Sequence, residues 1–210
     1  RAAGGACPEI TSLMWYALRS VGLPVNYDYI IQWANRSQSH SWNSLRVDSV
    51  LYSFGMSDPE FGKHFESRPQ ERVGKVYRKM FSFQPQSLPN QRGALAEGIP
   101  PAFRSPFIKD VSESYFDGID LAMKLTIPIA AKKKFAYLVV FDNRNWVPVA
   151  WSRIKRGRVA FDHVEKGCAY MVMYYDRGLL LPATDPFTVS KEGGVAVRKP
   201  DGAEVSVTLK

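Results

Sequence analysis

From residue 109 onward the chain is a succession of short strand-like runs: "FAYLVVFDN", "WVPVAWSRI", "RVAFDHV", "CAYMVMYYD", "LLLPATDPFTV" and "GVAVRKPDGAEVSVTL". The words "DNRN", "KRG", "DRG" and "PDG" supply reversals at the spacing of a β-sandwich. Residues 109–210 therefore read as a small all-β, sandwich-like module.

The first 108 residues are patterned differently. Ile10, Leu13, Met14, Ala17, Leu18 and Val21 recur at helical spacing and predict one amphipathic helix. Pro8 suits its first position, Glu9 favours the positive end of its dipole, and Gly22 and Pro24 supply the stop. Strand-like pieces follow, "VNYDYI", "SWNSLRV" and "SVLYSF". Residues 68–82 suit a short amphipathic helix through Val73, Val76, Tyr77 and Met80. Residues 83–107 hold Pro85, Pro89, Pro100, Pro101 and Pro106, which argues for an extended connector. The expected fold class is α+β over residues 1–108, a helix on an antiparallel sheet plus connector, followed by the β-module.

The 210 residues allow one large domain or two small ones, and 45% hydrophobic against 23% charged residues is the balance of a globular chain. No apolar run approaches bilayer length, so no membrane span is expected. The opening "RAAGGAC" is neither a methionine nor a targeting segment, and so reads as the start of a trimmed or processed chain. The net charge of +8 raises nucleic acid as a partner, but the charges are dispersed. The tight clusters, "AKKKF" and "RIKRGR", fall in turns between strands without any nucleic-acid motif, so no nucleic-acid partner is expected.

Cys7 lies at the mouth of the first helix, where free N–H groups and the helix dipole favour a thiolate. The bland reading is a small apolar cysteine packed behind that helix. Cys168, in "GCAYMVMYY", reads as a packing residue of a buried strand. The two cysteines make no disulfide framework, although export would leave one bridge between them possible, which would block thiol chemistry, and no Cys/His spacing suggests zinc. Of three histidines, His163 has no evident partner and His64, in the charged "FGKHFES", reads as solvated. His40 opens a strand in "SHSWNSL" and could approach Cys7 in space, where imidazole would take the thiol proton and return it to a leaving amine.

"GACPEITSLMWYALRSVGLPV" followed by "SHSWNSL" resembles the transglutaminase-like (papain-like) cysteine superfamily: Gly5 and Cys7, then Leu18, Arg19, Gly22, Leu23 and Pro24, then His40 and Trp42. The "IQWANRS" before the histidine is similar to an envelope-associated branch in Bacteroidetes-type bacteria that often carries a C-terminal β-module. The likeness spans roughly residues 4–60. It implies Cys7 as nucleophile, His40 as base, no metal or organic cofactor, an envelope or extracellular setting, and a peptide, protein or glycopeptide substrate. The reaction it implies is amide or peptide hydrolysis, or transamidation, through a thioester. The tetrahedral oxyanion would be held by the Cys7 backbone N–H and a second donor.

Two departures stand out. The family's third triad position falls on Gly55, so Asp58 is the expected partner of His40. Asp48, in a hairpin turn, and Asn43, expected on the opposite strand face, are the competitors. Only six residues precede Cys7, so the family's preceding helix and any upstream oxyanion donor lie outside this sequence. The alternative function is a catalytically inactive envelope protein that binds glycan or peptide. Its aromatics Trp146, Trp151, Tyr170, Tyr174 and Tyr175 would either stack on a ligand or fill the sandwich core.

Overall fold

The computed structural model describes residues 7–55, 58, 60–62, 64–65, 70–128 and 132–198. Helix α1, Cys7–Ser20, leads into strands β1 (Asn26–Ile30), β2 (His40–Val47) and β3 (Val50–Phe54). Then come β4 (Tyr77–Lys79), the short helix α2 (Ala94–Glu97) and β5 (Ile108–Asp110). The remainder is β6 (Gly118–Lys124), β7 (Phe135–Phe141), β8 (Trp146–Arg153), β9 (Arg158–Glu165), β10 (Cys168–Asp176), β11 (Leu179–Pro182), β12 (Phe187–Val189) and β13 (Val195–Val197).

These strands form three antiparallel assemblies. The first is a sheet in the order β3-β2-β1-β4-β5. The second is β13-β12-β10-β7-β8, with β11 added on β10. The third is the two-stranded ribbon β6-β9. The expected α+β class is thereby corrected. Among the described residues two α-helices stand against thirteen strands, and one of those helices is only four residues long. The molecule is mainly antiparallel β and is not a helix-packed transglutaminase core.

Part of the error lies in residues 70–82. The helix expected there is absent, and Val73 to Tyr77 are buried without a break because both flanks of this segment are covered. Tyr77 is taken into β4, paired with β1 and β5. The Gly74 N–H donates to Glu165 at 2.6 Å, and Lys75 Nζ reaches the carbonyls of Asp162 and His163 and the carboxylate of Asp110. Residues that bind neighbours on two sides are buried contiguously, so the helical spacing of Val73, Val76 and Tyr77 does not report a helix.

α1 is where the sequence places it, but turned. Its buried residues are Thr11 and Trp15, with Met14 and Leu18 packed beside them, while Leu13 and Val21 are exposed. Thr11 tolerates burial because its hydroxyl donates to the Cys7 carbonyl at 2.7 Å. The helix ends in a Schellman arrangement: Gly22 takes φ +88° and the Leu23 N–H returns to the Leu18 carbonyl at 3.1 Å.

β7 explains its own unbroken apolar run. Ala136, Leu138 and Val140 face one core with Tyr170, Val172, Phe161 and Val164. Phe135, Tyr137 and Val139 face a second core with Tyr77, Leu88, Ile99, Phe103 and Ile108. A strand covered on both sides needs no polar alternation. The proline-rich segment gives this second core Leu88, Ala94 and Phe103 from short 3-10 and helical turns, and Ile99 from the link between two of them. The division expected after residue 108 falls inside β5.

Glu165 yields a pH prediction. Burial pushes its carboxyl up to about 7 from an ordinary 4.5, against the opposing pull of the Gly74 N–H and the Arg72 charge. The folded state therefore holds this proton more tightly than the unfolded chain. Its contribution is full below pH 4.5 and is lost as pH rises to about 7, a span worth about 3 kcal/mol. Thermal unfolding from pH 4.5 to 8 should show the wild type losing stability relative to Glu165→Gln as pH rises. Parallel curves for the two proteins would contradict the assignment.

Candidate active site

β1 and β2 pair so that Asp28 lies opposite Trp42 and Ile30 opposite His40. Period-2 alternation then puts Asp28, Ile30, His40, Trp42 and Ser44 on one face. Asp28 is fully buried and fully bonded. Arg78 grips it through two bonds of 2.7 Å, Ser44 donates at 2.6 Å, and the Tyr115 hydroxyl donates to the same carboxylate. The Tyr115 phenol is held far above its ordinary range by burial and by the Asp28 charge, so it stays a neutral donor. It accepts in turn from the Trp42 indole N–H at 3.0 Å. The rotation of Trp42 is thus fixed by a buried ion pair one step away.

Both site histidines rest on this tryptophan. The His64 ring stacks on Trp42 with centroids 5.5 Å apart, and His40 lies beside Trp42 and under Trp33, at 5.8 and 5.5 Å. His40 and His64 are nearly coplanar, 7° apart, with Nε2 to Nε2 at 2.9 Å. His64 Nδ1 bonds Asp58 Oδ2 at 2.7 Å, and the Gly55 N–H donates to the same oxygen at 2.5 Å. The side chains of His64 and Asp58 are only 3% and 4% exposed, so these bonds form away from bulk water.

The direction of the chain of bonds follows from the inventory of donors. An ionised carboxylate only accepts, so His64 Nδ1 carries a proton. With both rings neutral, His64 Nε2 then accepts and His40 Nε2–H donates. This tautomer makes Nδ1 the basic nitrogen of His40.

The cysteine end is fastened to the same strand. Cys7 is exposed at the start of α1, and Pro8, the next residue, lines a cleft of about 230 Å³ together with His40, Tyr29, Ile31 and Ala102. Thr11, whose hydroxyl proton is given to the Cys7 carbonyl, accepts from the Ser41 hydroxyl at 3.1 Å. Asn43 donates to the Thr11 and Asn26 carbonyls at 3.2 and 3.1 Å. The first turn of α1 is therefore stitched to β2 at the residue after His40.

Of the residues singled out from sequence, His40 borders a cleft together with Pro8, the residue after Cys7, and Asp58 reaches His40 by way of His64 in place of the direct bond expected. Asp48 sits in the β2–β3 turn with φ +51°, and Asn43 faces α1. Gly5 lies outside the described residues. The expectation that His64 is solvated is corrected, since it is 2% exposed. A Cβ at Gly55 would lie 3.6 Å from His64 Nδ1 and Cε1 and 3.5 Å from Asp58 Oδ2. The imidazole fills the space into which a side chain from position 55 would extend. The signal for it was present in the aromatic neighbours Phe61 and Phe65, of which Phe65 packs edge-on to the ring.

The other thiol and imidazole have different surroundings. Burial pushes the Cys168 thiol up to about 12, and His163 Nε2 bonds the Phe116 carbonyl at 2.5 Å. Among the described residues, no three His, Cys, Asp or Glu side chains converge as a metal site requires, and no helix is long and apolar enough to cross a membrane.

The tautomer assignment is open to direct test. Nitrogen-15 spectra of the neutral rings should show His40 protonated on Nε2 and His64 on Nδ1. The reverse pattern on either ring would break the chain of bonds from Asp58.

No family model, no curated protein and no solved structure matches this chain.

Proposed function

We propose that the protein is a cysteine-dependent amide or peptide hydrolase, or transamidase, acting through a thioester on Cys7. The supporting observation is the buried Asp58–His64–His40 chain of hydrogen bonds, which ends at the cleft shared with Pro8. A peptide or glycopeptide substrate and an envelope setting come from the motif resemblance of Gly5–Cys7 and His40–Trp42.

In this reading His40 Nδ1 takes the thiol proton, and the sulfur attacks the amide carbonyl carbon. The oxyanion forms at the N-terminus of α1, where backbone N–H groups have no intrahelical acceptor. His40 then delivers its proton to the leaving nitrogen as the C–N bond breaks. Water or an amine attacks the resulting thioester, losing its proton to His40, and the thiol is restored. His64 and Asp58 touch no reacting atom. Their part is positioning: they hold His40 in one plane and one tautomer.

The aromatic β-module supports the binding-only alternative weakly. Tyr170 and Tyr174 are core residues, leaving Trp146, Trp151 and Tyr175 partly exposed.

Iodoacetamide labelling read by peptide mass should modify Cys7 at neutral pH and leave Cys168 untouched until the chain unfolds. His40→Ala and His64→Ala should each slow Cys7 labelling about tenfold or more. Adding Gly55→Asp to His64→Ala should recover part of the rate, since the vacated space lets a carboxylate approach His40 directly. An inert Cys7, or a Cys7 indifferent to both histidines, would support the binding-only alternative.

A further inference from the structure

We infer a second binding site, for closely spaced oxyanions, in a basin of about 670 Å³. Its walls are the end of α2, the segment 132–134 before β7, and the β10–β11 turn. It uses the "KKK" cluster, for which the thiol chemistry has no role, and the inference stands independently of that chemistry.

Five cationic side chains line the basin, Arg104, Lys132, Lys133, Lys134 and Arg177, against two acids, Glu97 and Asp176. Both acids are already engaged. Asp176 accepts from Lys133 at 2.6 Å, an attachment that holds its carboxyl below the usual range. Glu97 accepts the backbone N–H groups of Lys134 and Phe135 at 2.7 and 3.2 Å, so its charge is spent on fixing the start of β7. Among the described residues, the side chains of Lys132, Lys134 and Arg177 meet no acid at ion-pair distance.

The placement is built in. Lys134 lies against Gly93, where an added Cβ would come within 2.6 Å of its amine, and Gly93 has φ +88°. A side chain there would both strain the backbone and displace the lysine. The Arg104 guanidinium is tethered by its Nε to the Ile99 carbonyl at 3.2 Å. Arg177 holds φ +47° in the β10–β11 turn, next to Gly178. Like charges gathered on one concavity repel, and an anion bound among them removes that repulsion. Lysine point charges and planar guanidinium forks together suit phosphate or carboxylate oxygens. Tyr175, beside Gly98, adds an aromatic wall to one side.

Two sources offer this chemistry, a small free polyanion or the repeat of an acidic polysaccharide. Titration calorimetry on the whole protein at low salt, with inorganic pyrophosphate and with a galacturonate trimer, separates them. Saturable one-to-one binding of either probe is the expected result, and the tighter probe names the source. Lys134→Ser with Arg177→Ser should weaken binding about tenfold or more. Lys155→Ser with Arg156→Ser removes the same net charge from the β8–β9 turn and should leave binding unchanged. Neither probe binding, or equal weakening in both double variants, would overturn the site.

Discussion

A carboxylate with no solvent exposure lies at the centre of the first sheet, and the arrangement of the candidate site descends from it. Burying an ion costs several kcal/mol even after relaxation, and the cost is met only when every lone pair is used. Asp28 meets that condition through Arg78, Ser44 and Tyr115. Two of these partners come from β2 and β4, which flank β1, and the third from the segment before β6. The ion pair thereby fixes the lateral register of the sheet and, through Tyr115, the orientation of Trp42. Trp42 is in turn the surface on which His64 lies and beside which His40 stands. A buried charge that bonds neither histidine thus sets the geometry of both.

The positioning of His40 runs through two side chains in series. The Gly55 backbone N–H orients Asp58, and a Cβ at position 55 would lie in contact with His64. Asp58 then reaches His40 through the His64 imidazole. This relay is longer than a direct bond and adds a second titratable ring, but it is buried and flat. On the other side of the cleft, Thr11, Ser41 and Asn43 tie α1 to β2 with side-chain bonds that a purely apolar interface would lack. Such bonds fix the distance and rotation of α1 on β2, which apolar packing alone leaves looser.

The strands were legible where local pattern and burial agree. β2, β3 and β7 to β10 all fall on runs that read as strands in isolation, and β7 does so because both its faces are apolar. The stop of α1 was legible in Gly22 and Pro24, whereas its buried face was not. Thr11 goes inward because of a hydroxyl partner thirty residues away, and no hydropathy scale contains that partner. The same limit hid β4 and its lead-in, where Val73, Val76 and Tyr77 are spaced as a helix would space them but fall into two different cores. It also hid β6, "GIDLAMK", whose mixed composition makes sense only against β9. Motif words marked Cys7 and His40 as candidates through their immediate neighbours. His64 has no such motif word: Phe61 and Phe65 beside it are its local signal, and its place depends on Trp42 beneath the ring and Gly55 alongside.

The proposal that Cys7 and the Asp58–His64–His40 chain act as one nucleophilic unit is tested by acid-quench intact-mass spectrometry during turnover of an activated amide, such as a peptide anilide. The expected result is an acyl adduct that maps to Cys7, is released by hydroxylamine, and is absent from Cys7→Ser and His40→Ala. Turnover that leaves Cys7 unmodified, or an adduct that forms equally well without His40, would contradict it.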